Sequence, residues 1–178
     1  NSWPCAMSAV SDRSHRLPVL WHVRDLQIRS PVTWWLRSRC SAEIAISRVV
    51  ERFLLERGFS PDRVSVVYNG IDATELRLSR EPAAVRDELG VSPSAPVVIS
   101  IAQLVPWKRH ELMLQAAREV LDIVPAARFL FVGGDSVPGE GRQAHLQTEA
   151  RRLGIADAVL FVGYRTDPLD LLNASDVF

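Results

Sequence analysis

Several loops of this sequence follow short apolar runs and carry residues that could do chemistry. They are His22-Val23-Arg24-Asp25, Asn69-Gly70-Ile71-Asp72, Gln103 to Lys108, Gly133-Gly134-Asp135 and Gly163-Tyr164-Arg165. Lys108 is the most informative, because it is the only lysine among 21 basic residues. A lysine head is a compact point charge on a flexible stem, suited to a diphosphate oxygen at a helix start, where free backbone N–H groups also favour an anion. The alternative is a solvated helix terminus. His22 stands where an imidazole could hydrogen-bond a reacting group or assist proton movement, or simply be a satisfied buried histidine. Gly133-Gly134 lacks the full G-x-G-x-x-G fingerprint of a nicotinamide-binding turn. A backbone without Cβ can nevertheless approach a phosphate closely, or make a tight strand-to-helix turn. Asn69-Gly70, taken alone, is a common turn dipeptide.

The elements that must position these loops can be read from apolar periodicity. Leu17 to Val23, Glu43 to Ile46 and Val64 to Tyr68 read as short buried strands, and Pro31 begins a Trp-rich segment, Trp34-Trp35-Leu36, that fits a short helix. Ser47 is an N-cap for a helix carrying Val49, Val50, Phe53 and Leu54 and ending at Gly58. Glu81-Pro82 starts a further helix that stops at Gly90, and Pro93 and Pro96 mark a connector. Val97 to Ala102 is a strand, followed by a helix from about Lys108 with Met113, Ala117, Val120 and Val124 on one face, ended by Pro125. Arg128 to Val132 is a strand. A helix with Leu146, Ala150 and Leu153 ends at Gly154, Ala158 to Val162 is another strand, and Asp176-Val177-Phe178 reads as the start of one more. Strands alternating with helices predict an α/β fold of parallel sheets built from Rossmann-like βαβ units, with a domain boundary near Asn69 to Asp72. In such sheets ligands bind beyond the carboxyl ends of the strands, which is where the candidate loops fall.

Composition narrows the function classes. With 47% hydrophobic and 24% charged residues, the chain is an ordinary globular candidate. Its 21 basic and 21 acidic side chains cancel, so no global field draws it to nucleic acid or an anionic membrane. Residues 1–63 hold ten Arg against six Asp and Glu, a local excess that fits a solvated surface or an acidic ligand. Cys5 and Cys40 make no metal-ligand spacing, and one potential pair is no disulfide framework, so a reducing, cytoplasmic compartment is expected. No apolar run approaches the length of a membrane span. Trp34 and Trp35 suit core packing better than a sugar stack or a membrane interface.

Taken in order, A-E-I-A-I-S (42 to 47), V-S-V-V-Y-N-G-I-D (64 to 72), V-P-W-K-R-H-E-L-M-L-Q-A-A (105 to 117), P-A-A-R-F-L-F-V-G-G (125 to 134), V-L-F-V-G-Y-R-T-D (159 to 167) and D-L-L-N-A-S-D-V-F (170 to 178) resemble the retaining glycosyltransferases of family 4, of GT-B fold. The resemblance implies that residues 1–70 are the C-terminal part of an acceptor-side domain and 71–178 the first half of a nucleotide-sugar donor-binding domain, a GT-B molecule incomplete at both ends. It implies a donor nucleotide sugar and an acceptor that is a glycan, lipid or small molecule, with no metal and no other cofactor. His22 matches a strand-end histidine that contacts the transferring sugar. A Gly-Arg-Leu segment and a following lysine hold the donor diphosphate in the family. Here the segment reads Ala102-Gln103-Leu104, so the lysine is kept as Lys108 and the arginine is not. Gln103 can still donate a neutral hydrogen bond; either the donor is held more weakly or a nearby Arg109 or Arg165 compensates. Asn69, Gly70, Gly133, Gly134, Tyr164 and Arg165 complete the expected nucleotide-binding set, with His22 and Lys108 as the catalytic pair. The family's paired glutamates would follow Val177, so this piece is expected to be inactive alone. The rival readings are another GT-B sugar enzyme, an epimerase or a phosphorylase, and a non-catalytic nucleotide- or sugar-binding domain. The expected setting is the cytoplasm or the inner face of its membrane, with a weak peripheral contact through the early Arg- and Trp-containing segment.

Overall fold

The computed structural model describes residues 18–26, 37–74, 76–136 and 139–178, in two compact units, Asn1–Asp72 and Ala73–Phe178. Cys5, Pro31 and the Trp34-Trp35 segment lie outside the described residues. Cys40 is buried, and its thiol is pushed up to about 11, chiefly by that burial.

The first unit holds β1 (Leu20–Val23), β2 (Ala42–Ala45), helix α1 (Arg48–Glu56) and β3 (Val64–Val66). The strands form one parallel sheet in the order β1-β2-β3, with α1 as the crossover between β2 and β3. Ser47 is extended and its hydroxyl accepts the Val50 N–H at 3.3 Å, satisfying one of the donors a helix start leaves free. Val50 and Leu54 are the buried side of α1 and pack with Val23, Ala45, Phe59 and Val64. Val49, expected on that stripe, is exposed, because its neighbour Val50 takes the inward position. Alternation along β1 places Trp21 and Val23 in this core and leaves Leu20 and His22 exposed. Glu43 is fully buried with neither carboxylate oxygen hydrogen-bonded, and burial raises its pKa against the opposing pull of Arg63.

The second unit contains α2 (Pro82–Glu88), β4 (Val97–Ile101), α3 (His110–Ile123), β5 (Arg128–Val132), α4 (Arg142–Arg152), β6 (Val159–Gly163) and α5 (Pro168–Asn173), with 3-10 turns at Pro106–Lys108 and Ala156–Ala158. The strands are parallel in the order β4-β5-β6. Beyond β6 the chain returns past α5, and Val177 bridges Val98 in parallel, on the side of β4 away from β5. Strand order therefore reverses at β4.

The crossovers cover both faces of this sheet. Leu114, Ala117, Leu146 and Ala150 of α3 and α4 pack on Phe129 and Phe131, whereas Val85 and Leu171 of α2 and α5 pack on Val97, Ile99, Leu130 and Val132. Each fully buried leucine in these layers stabilises the fold by roughly 2 kcal/mol. The inward stripe of α3 is His110, Leu114 and Ala117, with Met113 and Leu121 partly buried beside it. Val120 and Val124, expected inward, are exposed, because the sheet-facing stripe runs through His110, Leu114, Ala117 and Leu121 instead.

Candidate functional site

The carboxyl ends of β4, β5 and β6 are tied to one another by backbone hydrogen bonds. The Ala102 N–H donates to Val132 O (2.9 Å), the Leu104 N–H to Gly134 O (3.0 Å) and the Gly133 N–H to Gly163 O (2.8 Å). Gly133 has φ 140°, and a Cβ there would lie 1.9 Å from the Ala102 carbonyl oxygen. Only glycine allows this approach of the two loops. Gly134 has open space around it instead. The loops bearing Gln103, Gly133-Gly134 and Gly163-Tyr164 are thereby brought together, and Gln103 and Tyr164 are exposed on them.

Lys108 follows on the same loop. Val105 N–H donates to Gln103 O and Lys108 N–H to Val105 O, so the chain turns tightly from the end of β4 into the start of α3. Lys108 is exposed at the last position of the 3-10 turn, and its ammonium makes no hydrogen bond or ion pair among the described residues. The helix expected from about Lys108 starts two residues later, at His110. The loop sits at β4, where strand order reverses, and open parallel sheets bind ligands in the crevice made at such a point.

Arg165 has a different environment. Its guanidinium donates to both oxygens of Asp167 (2.8 and 2.7 Å) and to Glu88 (2.7 Å), while Arg80 pairs with Glu88 (2.6 Å) and Asp167 (3.4 Å). Hydrogen bonding from Arg165 holds the Asp167 carboxyl down at about 2 and, with Arg80, holds Glu88 below the usual carboxylate range. This arginine is engaged in joining the β6 loop to α2.

His22, Asn69 and Gly70 belong to the first unit and are all exposed. His22 lies at the end of β1, so the satisfied buried histidine weighed in the sequence is not what is found. At Asn69-Gly70 there is neither a turn nor a positive φ, and a Cβ on Gly70 would meet nothing within 4 Å. Neither the turn alternative nor steric need accounts for that glycine.

The sequence of the second unit also matches the model of the family described as glycosyl transferases group 1 over residues 83–178, and residues 1–75 match that of glycosyltransferase family 4. The chain belongs to this glycosyltransferase family. It is 37% identical over 123 residues to D-inositol 3-phosphate glycosyltransferase 2 of Catenulispora acidiphila, covering 67% of this chain and 28% of that protein. It is 38% identical over 107 residues to the D-inositol 3-phosphate glycosyltransferase of Nocardia farcinica, covering 59% of this chain and 24% of the relative. The chain thus spans about a quarter of the length of these relatives. Among solved structures, HepE of Anabaena in complex with UDP superposes with a TM-score of 0.84 at 23% identity, over 99% of this chain and 50% of that one. That likeness establishes the GT-B type of α/β fold.

Several site-adjacent residues had little sequence signal. Asp135 accepts the N–H groups of Gly141 (3.0 Å) and Gln143 (2.9 Å), placing a carboxylate at the start of α4. Its place directly after the glycine pair was the only hint. His110 is 2% exposed, lies against Phe131 and has no partner for Nδ1. Burial, then Arg142, lowers its pKa, favouring the neutral imidazole. Arg142 pairs with Glu111, joining the starts of α3 and α4. No group of His, Cys, Asp and Glu among the described residues is arranged to hold a metal ion, and no described helix is long and apolar enough to cross a membrane.

Proposed function

We propose that this chain is part of an enzyme that moves a sugar from a nucleotide diphosphate donor to an acceptor hydroxyl with retention at the anomeric carbon. The observation that carries this reading is the ammonium of Lys108, exposed and without a hydrogen-bond or ion-pair partner among the described residues, on the loop after β4 whose beginning, at Ala102, is approached by Gly133. As the anomeric C–O bond to the diphosphate breaks, charge develops on the leaving oxygen, and a preorganised cation there lowers the barrier. The new C–O bond forms to the acceptor oxygen, and the acceptor proton passes to the departing phosphate. Gln103, Gly133, Gly134 and Tyr164 line the donor side of this reading, with Lys108 on the diphosphate. On this reading His22 contacts the transferred sugar, and Asn69 and Gly70 belong to the nucleotide-binding set. Arg165 supports the nucleotide loop through its carboxylate partners instead of touching phosphate.

HepE binds UDP, which makes uridine diphosphate sugars the first donors to test. The acceptor is a glycan, a lipid or a small molecule, and the work is cytoplasmic. The test is transfer of label from a set of UDP- and GDP-sugars by the full-length protein. Label appearing in an acceptor with the anomeric configuration of the donor supports the proposal. Isomerisation of the nucleotide sugar with no acceptor present, or binding without transfer to any acceptor, would overturn it.

A further inference from the structure

We propose that Arg109 supplies the guanidinium that grips the donor diphosphate beside Lys108; the inference rests on the donor-site reading above. Arg109 joins the 3-10 turn to α3 with φ 58° and ψ 36°, and it is the only described residue other than glycine with a positive φ. An L-residue gives up stability to sit there, and such strain persists where the surrounding structure enforces it for a purpose. Its side chain is exposed, and its guanidinium makes no hydrogen bond or ion pair among the described residues.

Among the described residues of this unit Arg109 shares the lack of a carboxylate partner with Arg77, Arg128 and Arg151, and of these four it alone lies on the β4 loop. Arg80, Arg86, Arg118, Arg142, Arg152 and Arg165 each pair with a carboxylate. Arg165, the other guanidinium expected to serve the diphosphate, has its donors taken by Asp167 and Glu88. Before Lys108 the β4 loop offers only neutral side-chain donors, the amide of Gln103 and the indole N–H of Trp107. A diphosphate presents paired oxygens that a planar guanidinium can meet bidentately, which a lysine cannot do. Adjacent unpaired cations on one exposed loop thus divide the work, Lys108 as point charge and Arg109 as fork.

The experiment measures binding of UDP, GDP, ADP and inorganic pyrophosphate to the full-length protein, with thermal midpoints recorded alongside. Arg109→Gly removes the guanidinium and relieves the backbone, and Arg109→Asn, which also tolerates a left-handed conformation, serves if the glycine variant does not fold. The expected result is roughly tenfold weaker diphosphate binding with the midpoint unchanged or raised. Adding Gln103→Arg to the same variant restores affinity. A merely structural role would lower the midpoint and leave affinity unrescued, and that result would overturn the inference. If Lys108→Ala weakens binding while Arg109→Gly and Arg109→Asn do not, this inference fails and the donor-site reading stands. If the unaltered protein binds none of the probes, or Lys108→Ala is without effect, both fail.

Discussion

The loops after β4 and β6 each end a parallel strand of the same sheet and each carry cations, yet they treat them in opposite ways. After β6, Arg165 is neutralised by Asp167 and Glu88, and Arg80 closes the same cluster. After β4, Lys108 and Arg109 stand exposed with no carboxylate partner among the described residues. Adjacent like charges repel weakly in water, so leaving them unpaired costs little when the site is empty and favours an anion when one arrives. A basic residue at a strand end is thus no sign of a ligand by itself. Whether an acidic partner already holds it decides.

The largest expected effect comes from breaking the contact that brings these loops together. Gly133→Ala forces a Cβ against the Ala102 carbonyl at a φ of 140°, and should lower unfolding stability by about 3 kcal/mol in chemical denaturation. Gly134→Ala, with open space around it, should stay within about 0.5 kcal/mol. Equal losses at the two positions would show that the close approach is not what holds the loops.

A smaller effect is expected from acid. The folded pKa of Asp167 lies at about 2 and that of Glu88 below its usual value, both through Arg165. Depressed carboxyl pKa values stabilise the fold above the unfolded values, near pH 4, and that contribution is lost as pH falls toward about 2. Urea midpoints should fall across this window, less so in high salt because the pairs are near the surface. Arg165→Gln should flatten the fall. The β4 loop, without a carboxylate, contributes nothing to it, and an unchanged profile in the variant would refute the assignment.

The smallest effect is expected from Glu88→Gln, which releases one contact of Arg165 and one of Arg80. Amide exchange should quicken at residues 163–167 and remain as before at 103–109. Faster exchange in both loops would mean that they do not behave as the separate devices described above.

Much of this architecture was legible in the residues. Arg128–Val132 forms its strand with the expected bounds, because five consecutive inward or sheet-facing residues end at a glycine that cannot carry a side chain. Ser47 caps α1 and Pro82 opens α2, both through local chemistry that needs no tertiary context. The six-residue helix Pro168–Asn173 was not anticipated, since so short a helix depends on tertiary packing, here Leu171 against the core and the Asp170 carboxylate accepting from Ser79. The outward turn of Val120 and Val124 shows the same limit: an apolar residue has no sign for which of two stripes will face the sheet. Lys108 and Gly133-Gly134 stand out in the sequence as site candidates, and at 133 the close approach of Ala102 requires the glycine. The pairing of Arg165 with Glu88, 77 residues earlier in the chain, could not be read there, and neither could the left-handed backbone at Arg109.

The most direct test of the account is turnover of the full-length protein after Lys108→Ala. Loss of the ammonium should lower turnover of a nucleotide sugar roughly 100-fold or more and weaken nucleoside diphosphate binding, with the fold intact by thermal unfolding. Turnover and donor affinity equal to those of the unaltered protein would contradict the claim that this charge meets the departing diphosphate.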